Sequence, residues 1–230
     1  MFQFKQFTIH QDRTPMKVGT DGVLLGAWAR VEQANRILDI GTGTGLLALM
    51  AAQRNDTAII DAIEIESNAY QQAKENIQAV HWRERISVFF QALQNYNPPY
   101  HFDCILCNPP FFKKSTKAPN IGRTLARHND TLPFSELMEH AARLLIPQGI
   151  FCIILPVKEA QECIALGKKH HLFPQYITQV RPNPDKPVKR HLIQFGFQEK
   201  SIITDELIIE YKRHQYSPKY EELTKAFYLK

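Results

Sequence analysis

The sequence predicts an α/β protein built on a parallel sheet that helices cover on both faces. From residue 36 onward, short and almost entirely apolar stretches, typical of buried strands, alternate with stretches whose apolar residues have helical spacing. The chain has 230 residues and is 44% hydrophobic, which is enough for one domain with a substantial core. Ligands of such sheets bind beyond the carboxyl ends of the strands, so functional residues are expected there.

Predicted strands and helices follow one another in the order that this fold requires. The strands are RILDIG (36–41), AIIDAIEIE (58–66), ISVFFQ (86–91), FDCILCN (102–108), IFCIILPV (150–157), YITQV (176–180) and LIQFGFQ (192–198). The helices are TGLLALMAAQRN (44–55), SNAYQQAKENIQAV (67–80), PFSELMEHAARLLI (133–146) and KEAQECIALGKKHH (158–171). Before them, FQFKQFTI (2–9) alternates like a strand and DGVLLGAWARV (21–31) is helical in pattern. We expect a single domain over 1–230, with an N-terminal cap over 1–31 and the catalytic sheet over 36–230.

Composition narrows the class of protein. The net charge of +5 leans towards a polyanionic partner. Cys104 and Cys107 form a C-x-x-C without a second pair at zinc spacing, and strand residues three apart face opposite sides, so buried strand cysteines and no metal are expected. No apolar run reaches about 18 residues, and the polar N-terminus differs from a signal peptide. A cytoplasmic protein is therefore expected.

A glycine-rich loop, DIGTGTG, follows the first strand of the sheet and opens a helix. Glycines at 41, 43 and 45 let the backbone approach a ligand while helix N–H groups face it, and Asp39 begins the motif. The dinucleotide fingerprint needs a further glycine where this chain has Leu46. A tight turn without a ligand is the alternative interpretation of this loop.

Glu64 ends the second strand about 20 residues further on, where a carboxylate can accept hydrogen bonds from a ribose diol. A nucleoside without a pyrophosphate fits both features, and S-adenosylmethionine is the natural candidate. Glu66 is interpreted as a solvated neighbour. Upstream, Thr20 or Asp21 either caps the following helix or holds the amino-acid end of the cofactor.

The stretch NPPFF (108–112) ends the fourth strand with a polar amide, a rigid corner and two aromatic rings. Because proline fixes φ and restrains the residue before it, the Asn108 amide and the Pro109 carbonyl can be aimed together. Two acceptors at one point suit an exocyclic amino group. Phe111 is expected to stack on a base; Pro110 and Phe112 complete the corner on the substrate side, although Phe112 can instead pack inward. A plain strand-ending turn is the alternative.

These motifs carry a family resemblance that spans nearly the whole chain. DIGTGTG, Glu64 and NPPF resemble the class I S-adenosylmethionine-dependent amino-methyltransferases. KVGTDGVLLGAWA, NPPFF, ARHND, KRHLIQF and the tail YSPKYEELTKAFYL resemble the bacterial valine-tRNA adenine-N6 methyltransferases, which modify adenine 37, just 3′ of the anticodon. The resemblance implies a Rossmann-like sheet of seven strands. One strand, from SIITDELIIEYK (201–212) or its neighbour, would be antiparallel.

One position departs from the family pattern. After the third strand the family usually offers an Asp to the cofactor adenine, but FFQALQNY places Ala92 there. Backbone groups at Ala92 or the side chain of Gln91 are expected to substitute. The alternatives for the whole chain are an NPPF-type methyltransferase acting on rRNA, DNA or a protein glutamine, and a non-catalytic RNA-binding module. Leu46 disfavours a nicotinamide oxidoreductase.

Two basic stretches flank the predicted corner. RPNPDKPVKRH (181–191) lies between two late strands, and a stretch with Arg123 and Arg127 lies on the other flank. We expect phosphates of the anticodon stem-loop of a tRNA to contact Lys186, Lys189, Arg190 and Arg127. Two solvated charged loops are the alternative.

Overall fold

The computed structural model describes residues 1–14, 16–110 and 132–229, and its elements are numbered along those ranges. The strands are β1 Phe2–Gln3, β2 Thr8–Ile9, β3 Arg36–Ile40, β4 Ile59–Glu64, β5 Ile86–Phe90, β6 Phe102–Cys107, β7 Leu145–Pro156, β8 Phe173–Arg181, β9 Arg190–Gly196, β10 Ile203–Ile208, β11 Glu210–Lys212 and β12 Gln215–Tyr216. The helices are α1 Thr20–Trp28, α2 Leu46–Arg54, α3 Ser67–Gln78, α4 Phe134–Leu144, α5 Val157–Gly167 and α6 Pro218–Thr224. The predicted alternation of strands and helices is confirmed.

Eight strands form one sheet in the order β10-β8-β9-β7-β6-β3-β4-β5. All neighbours pair parallel except β9, which runs antiparallel to both β7 and β8. The connection over 182–189 is shorter than the dozen or more residues that a parallel crossover needs, so β9 has to return antiparallel. Of the two segments expected to supply this strand, LIQFGFQ does so. The other supplies β10, an eighth strand at the edge that pairs parallel with β8.

Successive residues of the central strands enter two separate cores. Ile37 packs with α1, α2 and α3 on one face of the sheet, and Leu38 packs with α4 and α5 on the other. The same alternation puts Cys104 in the first core and Cys107 in the second, both buried and free. The prediction of buried strand cysteines facing opposite sides is therefore confirmed. Burying each large aliphatic side chain contributes about 1.5–3 kcal/mol, which makes these two cores the main source of stability.

The two ends of the chain pack together against the first core. The backbone N–H of Lys5 donates to the Phe227 carbonyl at 2.8 Å. The Phe4 ring lies 4.7 Å from that of Phe7 and 6.0 Å from that of Tyr228. Residues of the predicted cap thus share a core with α2, and the C-terminal tail holds them in place. No helix within the described ranges combines the length and apolar character needed to cross a membrane.

Candidate functional site at the carboxyl edge of the sheet

The glycine loop after β3 adopts a conformation that side chains disfavour. Gly41, Gly43 and Gly45 have φ values of 66°, 58° and 84°, in the left-handed region. A Cβ built on Gly41 or Gly43 would meet no atom within 4 Å, so these glycines border open space. Gly45 is the N-cap of α2. The loop therefore presents bare backbone to open space beside a helix N-terminus, which suits a ligand that approaches the backbone closely.

Asp39 lies beneath this loop and is fully buried. Its Oδ2 atom accepts the hydroxyl hydrogen of Thr42 and the N–H of Ala48 in the first turn of α2. Its Oδ1 atom has no hydrogen-bond partner within the described part of the chain. Burial raises the pKa of Asp39 to about 7, and the charge of Glu64 adds to the increase. The carboxyl group therefore has an unused acceptor buried beneath the glycine loop.

Glu64 ties the glycine loop to the next strand end. Its Oε2 accepts the N–H of Gly43 at 2.9 Å, and its Oε1 accepts those of Ile65 and Glu66, also at 2.9 Å. A carboxylate has about four lone-pair positions, so one acceptor position remains. Glu66 is not merely a solvated neighbour, because its side chain caps α3 by accepting from the N–H groups of Asn68 and Ala69.

The residues after β5 complete this side of the site. The Gln91 N–H donates to the Glu64 carbonyl at 3.0 Å, which holds Gln91 and Ala92 beside the acid. The Gln91 side chain donates instead to the Asn95 carbonyl at 2.7 Å. Ala92 is half-buried and accepts the Asn95 N–H in a short turn. Backbone groups at 91–92, more than the Gln91 amide, are thus placed near the expected adenine position.

The start of α1 differs from the prediction. The N-cap is Gly19, without a side-chain cap bond, so the interpretation of Thr20 or Asp21 as the N-cap was wrong. Thr20 is exposed at the first helical position. Asp21 accepts from Arg190 Nε at 2.7 Å, an ion pair that joins α1 to the start of β9.

Helix α1 packs on α2 through glycines one turn apart. A Cβ on Gly26 would lie 2.5 Å from Met50 Sδ, and a Cβ on Gly22 would lie 2.9 Å from Leu46 Cδ2. The same Cβ on Gly22 would lie 3.5 Å from Asn108 Nδ2. Glycine at these two positions lets the helices approach closely, and this contact brings the first turn of α1 against the end of β6.

The NPP corner directly follows β6 at the carboxyl edge of the sheet. Asn108 is half-buried and turns its amide nitrogen towards α1. Pro109 is buried and Pro110 is exposed, so the chain turns outward here. The other residues predicted at this corner and its flank lie outside the described residues: Phe111, Phe112, Arg123 and Arg127.

The 182–189 loop also lies at the carboxyl edge, because β8 runs parallel to β7 and ends there. Lys186 and Lys189 are exposed. Arg190 is half-buried and forms an ion pair with Asp21, so the two lysines are more accessible than Arg190.

Sequence reasoning did not identify Asn76, which is fully buried on α3. Its Nδ2 donates to the carbonyls of Thr44 and His10, both at 2.9 Å, and its Oδ1 accepts the His10 N–H at 2.8 Å. It thereby fixes the glycine loop and the N-terminal segment together. Gln72, one helical turn earlier, is also buried, but neither amide stands out in the sequence of a mostly polar helix.

Known methyltransferases match this chain in sequence. The methyltransferase small domain model matches residues 18–166. A Flavobacterium johnsoniae protein named tRNA1(Val) (adenine(37)-N6)-methyltransferase is 48% identical, covering 100% of both chains. Proteins with this name from Bacteroides thetaiotaomicron and Christiangramia forsetii are 48% and 45% identical, covering 99% and 100% of this chain and 97% and 98% of their own.

Solved structures show the same fold at low sequence identity. A predicted O-methyltransferase from Agrobacterium tumefaciens has a TM-score of 0.72 and 19% identity, covering 90% of this chain and 96% of its own. A methyltransferase from Pyrococcus furiosus has a TM-score of 0.60 and 20% identity, covering 84% of this chain and 90% of its own. The fold is that of class I methyltransferases, and the full-length identity to the curated relatives shows that this chain belongs to the tRNA1(Val) (adenine(37)-N6)-methyltransferase family.

Proposed function

We propose that this chain transfers a methyl group from S-adenosylmethionine to N6 of an adenine in tRNA, namely adenine 37 of valine tRNA. The observation that carries the proposal is the convergence of the glycine loop, the start of α1 and Asn108 at one edge of the sheet. The full-length identity of 45–48% to relatives with this name supports the choice of substrate. A tRNA substrate implies action in the cytoplasm, with residues 1–230 working as one domain.

The residues around the glycine loop fit S-adenosylmethionine. Gly41 and Gly43 leave room for a ligand against the backbone, and Glu64 keeps one acceptor position for a ribose hydroxyl. The unpartnered Oδ1 of Asp39 provides a buried acceptor beneath them. Gly45 would hold the helix start, and Ala92 would meet the adenine through its backbone. Thr20 and Asp21 are the nearest candidates for the amino-acid end. When bound, this cofactor supplies an electrophilic methyl group on a sulfonium sulfur.

In this proposal the NPP corner positions the acceptor amine. The Asn108 side-chain oxygen and the Pro109 carbonyl accept the two N–H groups of the adenine amino group. An aromatic amine is a poor nucleophile because its lone pair is delocalised into the ring. Accepting both hydrogens favours a pyramidal nitrogen and directs the lone pair towards the methyl group. Asn108 and Pro109 therefore act by orientation and electrostatics, without a base that removes a proton before attack. The new N–C bond would replace the methyl–sulfur bond, the cofactor would leave as the neutral thioether, and the methylated amine would then lose one proton to water.

The base has to leave its stack to reach this corner. Stacking on an aromatic side chain is worth about 1–3 kcal/mol and offsets much of the few kcal/mol needed to unstack a base. We assign this stacking to Phe111, with Pro110 and Phe112 beside the base. Lys186 and Lys189 are proposed to contact flanking phosphates, together with Arg127. Arg190, given its ion pair with Asp21, is assigned to positioning α1 at the same edge.

Methyl transfer by an Asn108→Ala variant tests the mechanism. Removing one positioned acceptor at the reacting atom costs on the order of 100- to 1,000-fold in rate. Cofactor binding, measured by calorimetry, should stay near that of the parent protein because Asn108 is aimed at the acceptor. Asn97→Ala is the control, since Asn97 contacts Arg143, away from the corner. Transfer by Asn108→Ala within about tenfold of the parent would contradict the mechanism.

Nucleoside mass spectrometry of cellular tRNA tests the substrate. Deleting the gene should remove N6-methyladenosine from a valine tRNA. The parent gene should restore this nucleoside, and the Asn108→Ala gene should not. An unchanged level after deletion would move the target to rRNA, DNA or a protein glutamine.

A further inference from the structure

A short hairpin beyond β10 extends the candidate site. This tail hairpin, residues 209–217, contains β11 and β12. The Ile209 N–H donates to the Arg181 carbonyl at 2.9 Å, and the Glu210 N–H donates to the Pro182 carbonyl at 3.0 Å. Because β10 runs parallel to β8, the hairpin continues past the carboxyl edge of the sheet. It therefore projects on the same side as Asn108 and directly beside the 182–189 loop.

Two adjacent cations lie between two tyrosines in this hairpin, and all of these side chains are exposed. The residues that form its tip and flanks are all exposed: Tyr211, Lys212, Arg213, His214 and Tyr216. Tyr211 and Tyr216 are 53% and 45% exposed, and the Tyr216 ring has its centroid 5.1 Å from that of Tyr220. Neither Lys212 nor Arg213 makes an ion pair with any residue that the structure describes. Their charges are thus available to a partner.

Nearby cations of the same region are neutralised internally. Lys219 pairs with Asp205 at 2.6 Å, and Arg181 pairs with Glu206. The contrast indicates that the cations of the hairpin do not serve the fold of this edge. Basic groups interleaved with exposed aromatic rings are the pattern that binds a nucleic-acid backbone and its bases.

The hairpin and the 182–189 loop form one basic rim. The Arg181 guanidinium also donates to the Lys186 carbonyl at 3.0 Å, which fixes the loop against the end of β8, to which the hairpin is itself hydrogen-bonded. The exposed cations of the rim are then Lys186, Lys189, Lys212 and Arg213. Its acidic residues are Asp185 and Glu210. The rim therefore has an excess of positive charge.

We propose that the tail hairpin is an RNA contact surface, in which Lys212 and Arg213 bind phosphates and Tyr211 and Tyr216 offer faces for stacking. Four strand spacings separate β10 from β6, or about 19 Å at about 4.8 Å each. The hairpin thus meets the RNA several nucleotides from the adenine held at Asn108. This inference rests on the proposed tRNA substrate and deepens it, since it assigns a second contact that raises affinity without entering the reaction.

Filter binding of a valine tRNA transcript at increasing salt tests the hairpin. The variant is Lys212→Ala with Arg213→Ala. The matched control is Lys168→Ala with Lys169→Ala, which removes the same charge from exposed residues at the far end of α5, on the opposite edge of the sheet. Each lost phosphate contact lowers the slope of log affinity against log salt by about 0.7–0.9. The hairpin variant should therefore lose about 1.4–1.8 from the slope, and the control should match the parent.

Steady-state transfer of labelled methyl to the same transcript separates the possible results. The expected result is a raised KM for tRNA with unchanged kcat, because the hairpin lies far from the reacting atoms. Slopes and KM values that match the control overturn the hairpin as an RNA surface, even where the parent methylates the tRNA. Tight, salt-dependent binding by a parent that transfers no methyl group refutes the proposed activity, and a reduced slope for the hairpin variant then still supports the RNA surface. Absence of tRNA binding by the parent overturns both.

Discussion

Replacing Glu64 by glutamine probes the centre of the proposed cofactor site. The carboxylate accepts three backbone N–H groups at 2.9 Å, from Gly43 on one oxygen and from Ile65 and Glu66 on the other. Glutamine has a single acceptor oxygen. If that oxygen still accepts the N–H groups of Ile65 and Glu66, the glutamine amide nitrogen faces the Gly43 N–H, and two donors oppose each other. The substitution therefore removes one brace of the glycine loop together with the acceptor for the ribose.

The size of both effects follows from these contacts. A hydrogen bond to a charged group is worth about 1.5–3 kcal/mol. Loss of the hydrogen bond from the Gly43 N–H should lower the melting temperature by about 2–4 °C for each kcal/mol lost in a chain of this length. Losing one from the ribose should weaken cofactor binding by roughly 10- to 150-fold. S-adenosylmethionine and its demethylated product share the ribose, so both should weaken by the same factor.

Calorimetry with the two ligands and thermal unfolding give the measurements, and Glu66→Gln is the matched control. Glu66 is two residues away and caps α3 through Asn68 and Ala69. Its substitution should cost about 1 kcal/mol of stability and leave both affinities unchanged. The assignment of Glu64 to the ribose is refuted if Glu64→Gln melts at a lower temperature but binds both ligands like the parent. In that case, Glu64 only braces the loop.

Two further predictions concern the same pocket. Gly22→Ala places a methyl group 2.9 Å from Leu46 Cδ2, so the first turn of α1, which lies against Asn108, has to shift, and the transfer rate should fall. Gly26→Ala collides with Met50 of α2, one turn further from Asn108, and should lower the melting temperature while the folded protein keeps its rate. Equal rates in paired assays would argue against Asn108 as the positioning group. Asp39 has a pKa of about 7 in the fold and 3.8 as its ordinary value, so the folded state holds a proton that the unfolded state has lost, and stability should fall as pH rises from about 4 to 7. The free energy of unfolding of Asp39→Asn, measured across this pH range, should not show that decline. An identical decline in the variant would mean that another group causes it.

Features that depend on local sequence and on parallel-sheet geometry could be predicted. Gly41 and Gly43 need left-handed φ values, which glycine adopts readily, and the motif itself indicates such a turn. Glu64 and Asn108 each end a strand, and parallel strands end at one edge, so their common location followed from the fold class. The cysteines Cys104 and Cys107 followed from strand alternation alone.

Features that depend on contacts between distant segments could not be predicted. The pairing of Asp21 with Arg190 joins residues 169 positions apart and exists only because α1 docks against the end of the sheet. The N-cap is Gly19, without a side-chain hydrogen bond, although side-chain preference favours Thr20 or Asp21. Asn76 is polar in a helix with a mostly polar surface, and nothing local distinguishes it from solvated neighbours. The eighth strand, β10, likewise forms only because the outer edge of β8 is open for pairing.

The ion pair between Asp21 and Arg190 connects the basic rim to the pocket. Arg190 directly follows Lys189, a proposed phosphate contact, while Asp21 directly precedes Gly22, which lies against Asn108. With side chains 26% and 31% exposed, such a pair is worth only about 0–1 kcal/mol, too little to determine the fold. It joins the first turn of α1 to the residue that follows the loop proposed to bind RNA. If a phosphate binds near Lys189 as proposed, it would compete with Asp21 for the guanidinium. Arg190 would then connect tRNA binding to the turn of α1 that lies against Asn108.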